Sequence, residues 1–261
     1  MLFFRLIDSG DCDAAFNMAL DEALALSVKD GKTPPAVRFY GWRRPSLSLG
    51  RFQKNRDGFH VDFIRASGLP AVVRPTGGRA VLHLPNELTY SVCSRFVGVF
   101  SGKDLFGCYA IISSAISGAL EQLGAKVEVR SERRAGQGQR QSKNAHCFQS
   151  VSYSEISSGG RKLVGSAQRR WPEGFLQQGS IPFETGGPLP GRIFKGFNPR
   201  LMAGLNEVVP GPEGRKREDL KRLLAEQFGA DLGVPLVEAA PEPRELALAR
   251  QLLPGYESAY F

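Results

Sequence analysis

Arg74-Pro75-Thr76-Gly77-Gly78-Arg79-Ala80-Val81-Leu82-His83 is the stretch on which the reading of this chain turns. Ala71 to Arg74 is short and mostly apolar, Pro75 to Gly78 interrupts it, and Arg79 to His83 resumes it, which reads as strand, tight turn and strand. Glycines let backbone N–H groups come close to an anionic or carbonyl ligand, and arginines 74 and 79 flank them. The pattern therefore fits a binding loop, and it equally fits a Gly-Gly hairpin with exposed arginines.

Working outward, Phe16, Leu20, Leu24 and Val28 recur four apart behind the candidate caps Asp11 and Asp13, which predicts an amphipathic helix over 13–28. Ala36 to Tyr40 and Ser46 to Leu49 read as strands around the Trp42-Arg43-Arg44-Pro45 turn, and Glu87 to Cys93 alternates Leu88, Tyr90 and Val92. Leu105, Ile112, Ile116, Leu120 and Leu123 mark a second helix over 104–123, closed by Gly124. Strands are expected at Lys126 to Val129, Cys147 to Ile156, Lys162 to Arg169 and Gly174 to Ile181, with a turn at Ser157-Ser158-Gly159-Gly160. Pro and Gly crowd 182–214, and helical patterning returns at Glu218 to Phe228 and Glu245 to Leu253. This order predicts an α+β (α/β) protein, a mostly antiparallel mixed sheet flanked by helices. The expected organisation is one domain over 1–261, with 183–261 a Pro/Gly-rich connection and C-terminal helices.

The 261 residues, 42% hydrophobic and 23% charged, are enough to bury about 70% of the unfolded surface in a proper core. Cys12, Cys93, Cys108 and Cys147 form no C-x-x-C pair and do not suit a disulfide scaffold, so reduced thiols and a cytoplasmic location are expected. The opening Met1 to Asp8 lacks a basic n-region, and no run reaches eighteen apolar residues; neither secretion nor a membrane span is expected.

The formal charge is +8, and between Val129 and Trp171 nine basic residues face only two acids. Nearly the whole excess sits in one sixth of the chain, a footprint for an anionic partner. Nucleic acid is one such partner. The chain has no zinc-ligand spacing, no aromatic-rich strand to stack bases and no evident helix-turn-helix, so no nucleic-acid role is expected.

His60, His83 and His146 have no paired spacing, so no metal site is expected, and neither a P-loop nor a G-x-G-x-x-G motif is present. The second informative segment is Gly160-Arg161-Lys162-Leu163-Val164-Gly165-Ser166-Ala167-Gln168. Small residues at 165–167 leave room for a ligand beside Lys162, and a partly desolvated lysine can accept a proton or hold a thiolate by charge. Cys147 follows a run of basic residues that favours its thiolate. His146 would point to the opposite face of an extended strand, which leaves Lys162 or His83 as its partner.

These segments, together with Phe16 to Glu22, Val37 to Tyr40, Leu49 to Gln53 and Glu87 to Ser91, occur in an order that resembles the biotin/lipoate protein ligase and octanoyltransferase superfamily, from Arg5 to about Pro182. The resemblance implies that family's catalytic-domain fold and places its motif lysine at Lys162. His146-Cys147-Phe148 stands where ATP-dependent lipoate ligases usually carry Asn-Asp, and is most similar to the cysteine-dependent octanoyltransferases. An acyltransferase is thereby implied. Octanoyl would pass from acyl carrier protein to Cys147 and then to a lysine of a lipoyl domain such as glycine cleavage H protein, with no cofactor. Cys147 and Lys162 would be catalytic; Arg74, Gly77, Gly78, Arg79, His83, Gly165, Ser166, Ala167, Gln168 and Gly179 would bind substrate. Leu84 and Gln178 depart from the family's usual Asp and His, and the former weakens the ATP-using alternative. An ATP-dependent lipoate-protein ligase and an octanoyl amidotransferase between lipoyl domains are the other enzyme readings, and a basic nucleic-acid-binding protein is the non-enzyme one.

Overall fold

The computed structural model describes residues 2–129, 155–211 and 213–257. Among the described residues the main sheet has eight strands: β1 (Phe4–Cys12), β2 (Ala36–Trp42), β6 (Leu88–Arg95), β7 (Glu128–Val129), β8 (Ile156–Ser158), β9 (Arg161–Arg170), β10 (Gly174–Ile181) and β11 (Leu236–Glu238). They lie in the order β11-β1-β2-β6-β10-β9-β8-β7. The pairs β11/β1 and β1/β2 are parallel, and every pair from β2 to β7 is antiparallel. The mostly antiparallel mixed sheet expected from the residue pattern is what forms.

Alternation along the central strands sends side chains to two different cores. Val37, Phe39, Leu88, Tyr90, Val92 and Phe175 pack with helices α3 (Leu105–Gln122) and α6 (Glu213–Leu232). Ala36, Cys93 and Leu176, one residue out of phase, pack with α1 (Ala14–Lys29) and α7 (Pro243–Glu257). Strands covered on both faces need apolar residues in both phases, and β2 and β10 are buried throughout.

The helices follow from local signals. In α1 the predicted Leu20, Leu24 and Val28 are buried. Asp13 is its N-cap residue, but its carboxylate pairs with Arg43 at 2.9 Å instead of capping. In α3 the Asp104 side chain accepts from the Gly107 N–H at 2.8 Å, and Gly124 ends the helix at φ +102°.

A second sheet has three strands among the described residues, and they do not pair as the sequence predicts. The strands β4 (Ala71–Val73) and β5 (Val81–His83) do not form a hairpin. Both pair with β3 (Ser46–Leu49), which lies between them, parallel to β4 and antiparallel to β5. Leu47 and Leu49 of β3 are fully buried in this sheet's own core, so residues 74–80 must cross the end of β3 and cannot turn straight back. The short helix α2 (Val61–Ser67) packs beside α4 (Leu189–Ile193) on that core, and a single turn, α5 (Leu205–Val208), follows. Residues 147–154 of the expected Cys147 to Ile156 strand lie outside the described residues; Ile156 opens β8.

Candidate active site

A narrow cleft opens where the two sheets meet. The small sheet contributes Ser48, Arg74, Val81 and His83, and α1 and β2 contribute Met18, Tyr40 and Trp42. Opposite them stand Gly165, Ser166 and Ala167 of β9 with Gln178, Gly179 and Ser180 of β10.

The wall on the small-sheet side is cross-linked. Glu87, 1% exposed, accepts through Oε1 from His83 Nδ1 (2.6 Å), Thr89 Oγ1 (2.7 Å) and Ser180 Oγ (3.0 Å), and through Oε2 from the Leu84 N–H (3.2 Å). On its other edge, His83 Nε2 lies 2.7 Å from Ser48 Oγ, so the ring bridges Glu87 and Ser48. Trp42 stacks on the His83 ring at 3.8 Å and donates to Thr89 Oγ1 at 2.8 Å, which fixes the imidazole on its faces as well as its edges.

Arg74 holds the glycine loop. Its Nη1 donates to the Ser48 carbonyl (3.1 Å), and its Nη2 donates to the carbonyls of Gly77 (2.6 Å) and Arg79 (2.7 Å). Gly78 has φ +85°, and a Cβ on Gly50 would lie 1.9 Å from the Gly78 carbonyl oxygen, so both positions need glycine. A Cβ on Gly78 would sit 3.6 Å from the Ala167 methyl, which puts the loop at the edge of the cleft.

Beneath the cleft lies a second polar layer. Asp21, fully buried, accepts from Arg38 Nη1 (2.7 Å), Tyr40 Oη (2.7 Å), Ser91 Oγ (2.7 Å) and Gln178 Nε2 (2.6 Å). Gln178 also accepts from Thr76 Oγ1 at 2.8 Å, so this one amide ties the glycine loop to the buried ion pair. Burial, and then the Asp21 charge, push the Tyr40 phenol well above its ordinary range.

The opposite wall is made of small residues, and two devices keep it so. Tyr90 crosses over Gly179 to share a 2.7 Å hydrogen bond with Ser166 Oγ; a Cβ at 179 would lie 2.3 Å from the Tyr90 ring. Burial pushes this phenol up to about 12. The second device is a bulge, since Ile156 pairs with Val164 while Ser157 pairs with Lys162. Leu163 and Val164 both sink into the core, and Gly165 lines the cleft while Lys162 is not among the residues that line it. Lys162, 7% exposed, forms a buried ion pair with Glu155, and its carbonyl accepts from the Ala203 N–H at 2.9 Å.

Of the residues singled out in the sequence, Arg74, His83, Gly165, Ser166, Ala167 and Gly179 meet in the cleft wall. Gly77, Gly78 and Arg79 form the loop at its edge. Gln168 stands apart from the wall and donates to Gln177 Oε1 at 2.9 Å. His146 and Cys147 lie outside the described residues. Ser48, Trp42, Gln178, Ser180 and Glu155 carry no motif signal of their own. Gln178 was visible only as a departure from an expected His, and its partners are 102 and 157 positions away.

The three described cysteines, Cys12, Cys93 and Cys108, are free thiols. Burial pushes up the thiols of Cys12, Cys93 and Cys108, which disfavours the thiolate. Among the described residues, no group of three His, Cys, Asp or Glu side chains could hold a metal, and no helix is long and apolar enough to cross a membrane.

A sequence model of the lipoyl protein ligase A/B catalytic domain matches residues 13–228. Octanoyltransferase LipM of Moorella thermoacetica is 43% identical over 184 residues, 70% of this chain and 66% of that protein, so the match spans just under two thirds of that relative. Octanoyltransferase LipM of Halalkalibacterium halodurans is 35% identical over 266 aligned positions, 95% of this chain and 94% of that protein. In three dimensions, a structure of a bi-partite lipoate protein ligase and its E2 lipoyl domain from Thermoplasma acidophilum shares the fold. Its TM-score is 0.79 at 19% identity, covering 100% of this chain and 95% of that one.

Proposed function

The chain belongs to the lipoyl protein ligase A/B catalytic-domain family, and from that premise we propose an octanoyltransferase of lipoate biosynthesis that works in the cytoplasm through a Cys147 thioester. The observation that carries this reading is the likeness, over 95% of the chain, to a protein named an octanoyltransferase. The donor is octanoyl acyl carrier protein, and the acceptor is a lysine of a lipoyl domain such as glycine cleavage H protein.

The Cys147 thiolate attacks the carbonyl carbon of the donor thioester, forming a new C–S bond. The donor's own C–S bond breaks, and its thiolate leaves and takes up a proton. The acceptor lysine, as the neutral amine, then attacks the octanoyl-Cys147 carbonyl. An amide forms, Cys147 leaves as thiolate and the amine proton is released. The thioester is already activated, so neither step consumes ATP.

Both tetrahedral intermediates put negative charge on the carbonyl oxygen. Lys162, whose ammonium is held in a buried ion pair with Glu155, serves as the donor to that oxygen. The octanoyl chain lies along Gly165, Ser166 and Ala167, where side chains leave space, and the Glu87-His83-Ser48 array keeps the facing wall in place. Arg130, Arg133, Arg134, Arg140 and Lys143 precede Cys147 in the chain and supply the positive charge that favours its thiolate.

Mixing the purified chain with octanoyl acyl carrier protein and apo H protein, in the absence of nucleotide, tests the reading. Mass spectrometry should show octanoylated H protein, and Cys147→Ser should abolish it. Modification that requires ATP and free octanoate, and survives Cys147→Ser, would show a ligase instead.

A further inference from the structure

We infer that the loop Arg51 to Asp57 is the docking surface for the acceptor, an acidic lipoyl-carrier domain; this rests on the transferase reading above. Phe52 is 80% exposed, the most exposed of the large hydrophobic residues described. A single exposed apolar residue is ordinary, but this one stands among exposed Arg51, Lys54 and Arg56, with Asp57 the one acid of the loop. An aromatic anchor ringed by charge is the composition of a protein interface, and three cations against one anion select an acidic partner.

The loop is presented at the cleft's edge by a fixed backbone. The Arg51 N–H donates to the Thr76 carbonyl at 2.9 Å, and Gly50 packs on the Gly78 carbonyl. At its far end Phe59 is buried against Phe194, with ring centroids 5.5 Å apart. Gly50, two residues before Phe52, abuts Gly78, where an added Cβ would lie 3.6 Å from the Ala167 methyl in the wall.

Reach decides which partner sits there. A lysine side chain spans five bonds of about 1.5 Å each, so a domain offering its lysine must dock on the rim itself. A donor whose thioester ends a long, flexible prosthetic arm can dock farther away. The rim loop is therefore assigned to the acceptor.

The test measures binding of an apo lipoyl domain, its target lysine replaced by Arg, by calorimetry at low and high salt. Phe52→Ala and Lys54→Glu should each weaken binding about tenfold, the second mainly at low salt. Both should leave the rate of Cys147 acylation by octanoyl acyl carrier protein within about twofold of wild type. Phe52 is exposed, so its replacement should leave the thermal midpoint unchanged. Binding that stays within about twofold of wild type overturns the assignment, and so does an equal loss in the acylation step. A wild-type chain that binds the domain and never becomes acylated breaks the transferase reading alone.

Discussion

The two walls of the cleft are built on opposite principles. On the small-sheet side, Glu87, His83, Ser48 and Arg74 satisfy one another and the adjacent backbone, so the wall's shape is set by hydrogen bonds between buried polar groups. On the β9 and β10 side the wall is Gly165, Ser166, Ala167 and Gly179, and its shape is set by what is missing from the side chains. The first wall can fail by losing a partner. The second can fail by gaining an atom. A rigid face opposite an empty one is a way to define a slot for a flexible chain without building a tunnel from large apolar side chains.

Asp21→Ala should break the polar side most severely, because it strips Arg38, Tyr40, Ser91 and Gln178 of a shared buried acceptor. A loss of about 3–5 kcal/mol in denaturant unfolding is expected. Gly179→Val is next: a Cβ 2.3 Å from the Tyr90 ring forces the ring or the strand to move, at a cost of about 1–3 kcal/mol. Pairing it with Tyr90→Leu should return part of that stability if the crossing of Tyr90 over Gly179 is the cause. Ala167→Leu should barely alter the thermal midpoint and should slow acylation from an octanoyl thioester about tenfold relative to an acetyl thioester. Equal rates on the two donors would remove Ala167 from the acyl path.

The smallest effect at neutral pH concerns Tyr90. Its folded value, about 12, lies above the ordinary value of 10, so its contribution to stability is complete below pH 10 and declines as pH rises toward 12. Absorbance titration of the native protein should show a phenol ionising near 12 that is absent from Tyr90→Phe.

How much of this was legible in the sequence depends on distance along the chain. The helices α1 and α3 each write one apolar stripe in consecutive residues, and the strands β3 and β10 have the bounds their patterns predict. Arg74, His83 and Gly165 to Ala167 were legible because they stand inside short ordered motifs. The strand β1 was not: Gly10, at φ +59°, and two acids, Asp8 and Asp11, break its alternation, and one of its partners, β11, is more than 220 residues away. Reading 71–83 as a hairpin assumed that neighbours in sequence pair, and β3 displaced that pairing by offering both strands a buried partner. The ties from Gln178 to Asp21 and Thr76, and from Ser48 to His83, join residues 35 to 157 positions apart, a range that no local spacing encodes.

In the proposed reaction octanoyl is held on Cys147 between donor and acceptor. Brief incubation of the wild-type chain with octanoyl acyl carrier protein alone, followed by intact-mass measurement and peptide mapping, tests it most directly. A single octanoyl adduct is expected on the peptide containing Cys147, released as the amide on adding apo H protein and absent from Cys147→Ser. Transfer to H protein at full rate by Cys147→Ser, or an adduct mapped to Cys12, Cys93 or Cys108, would contradict it.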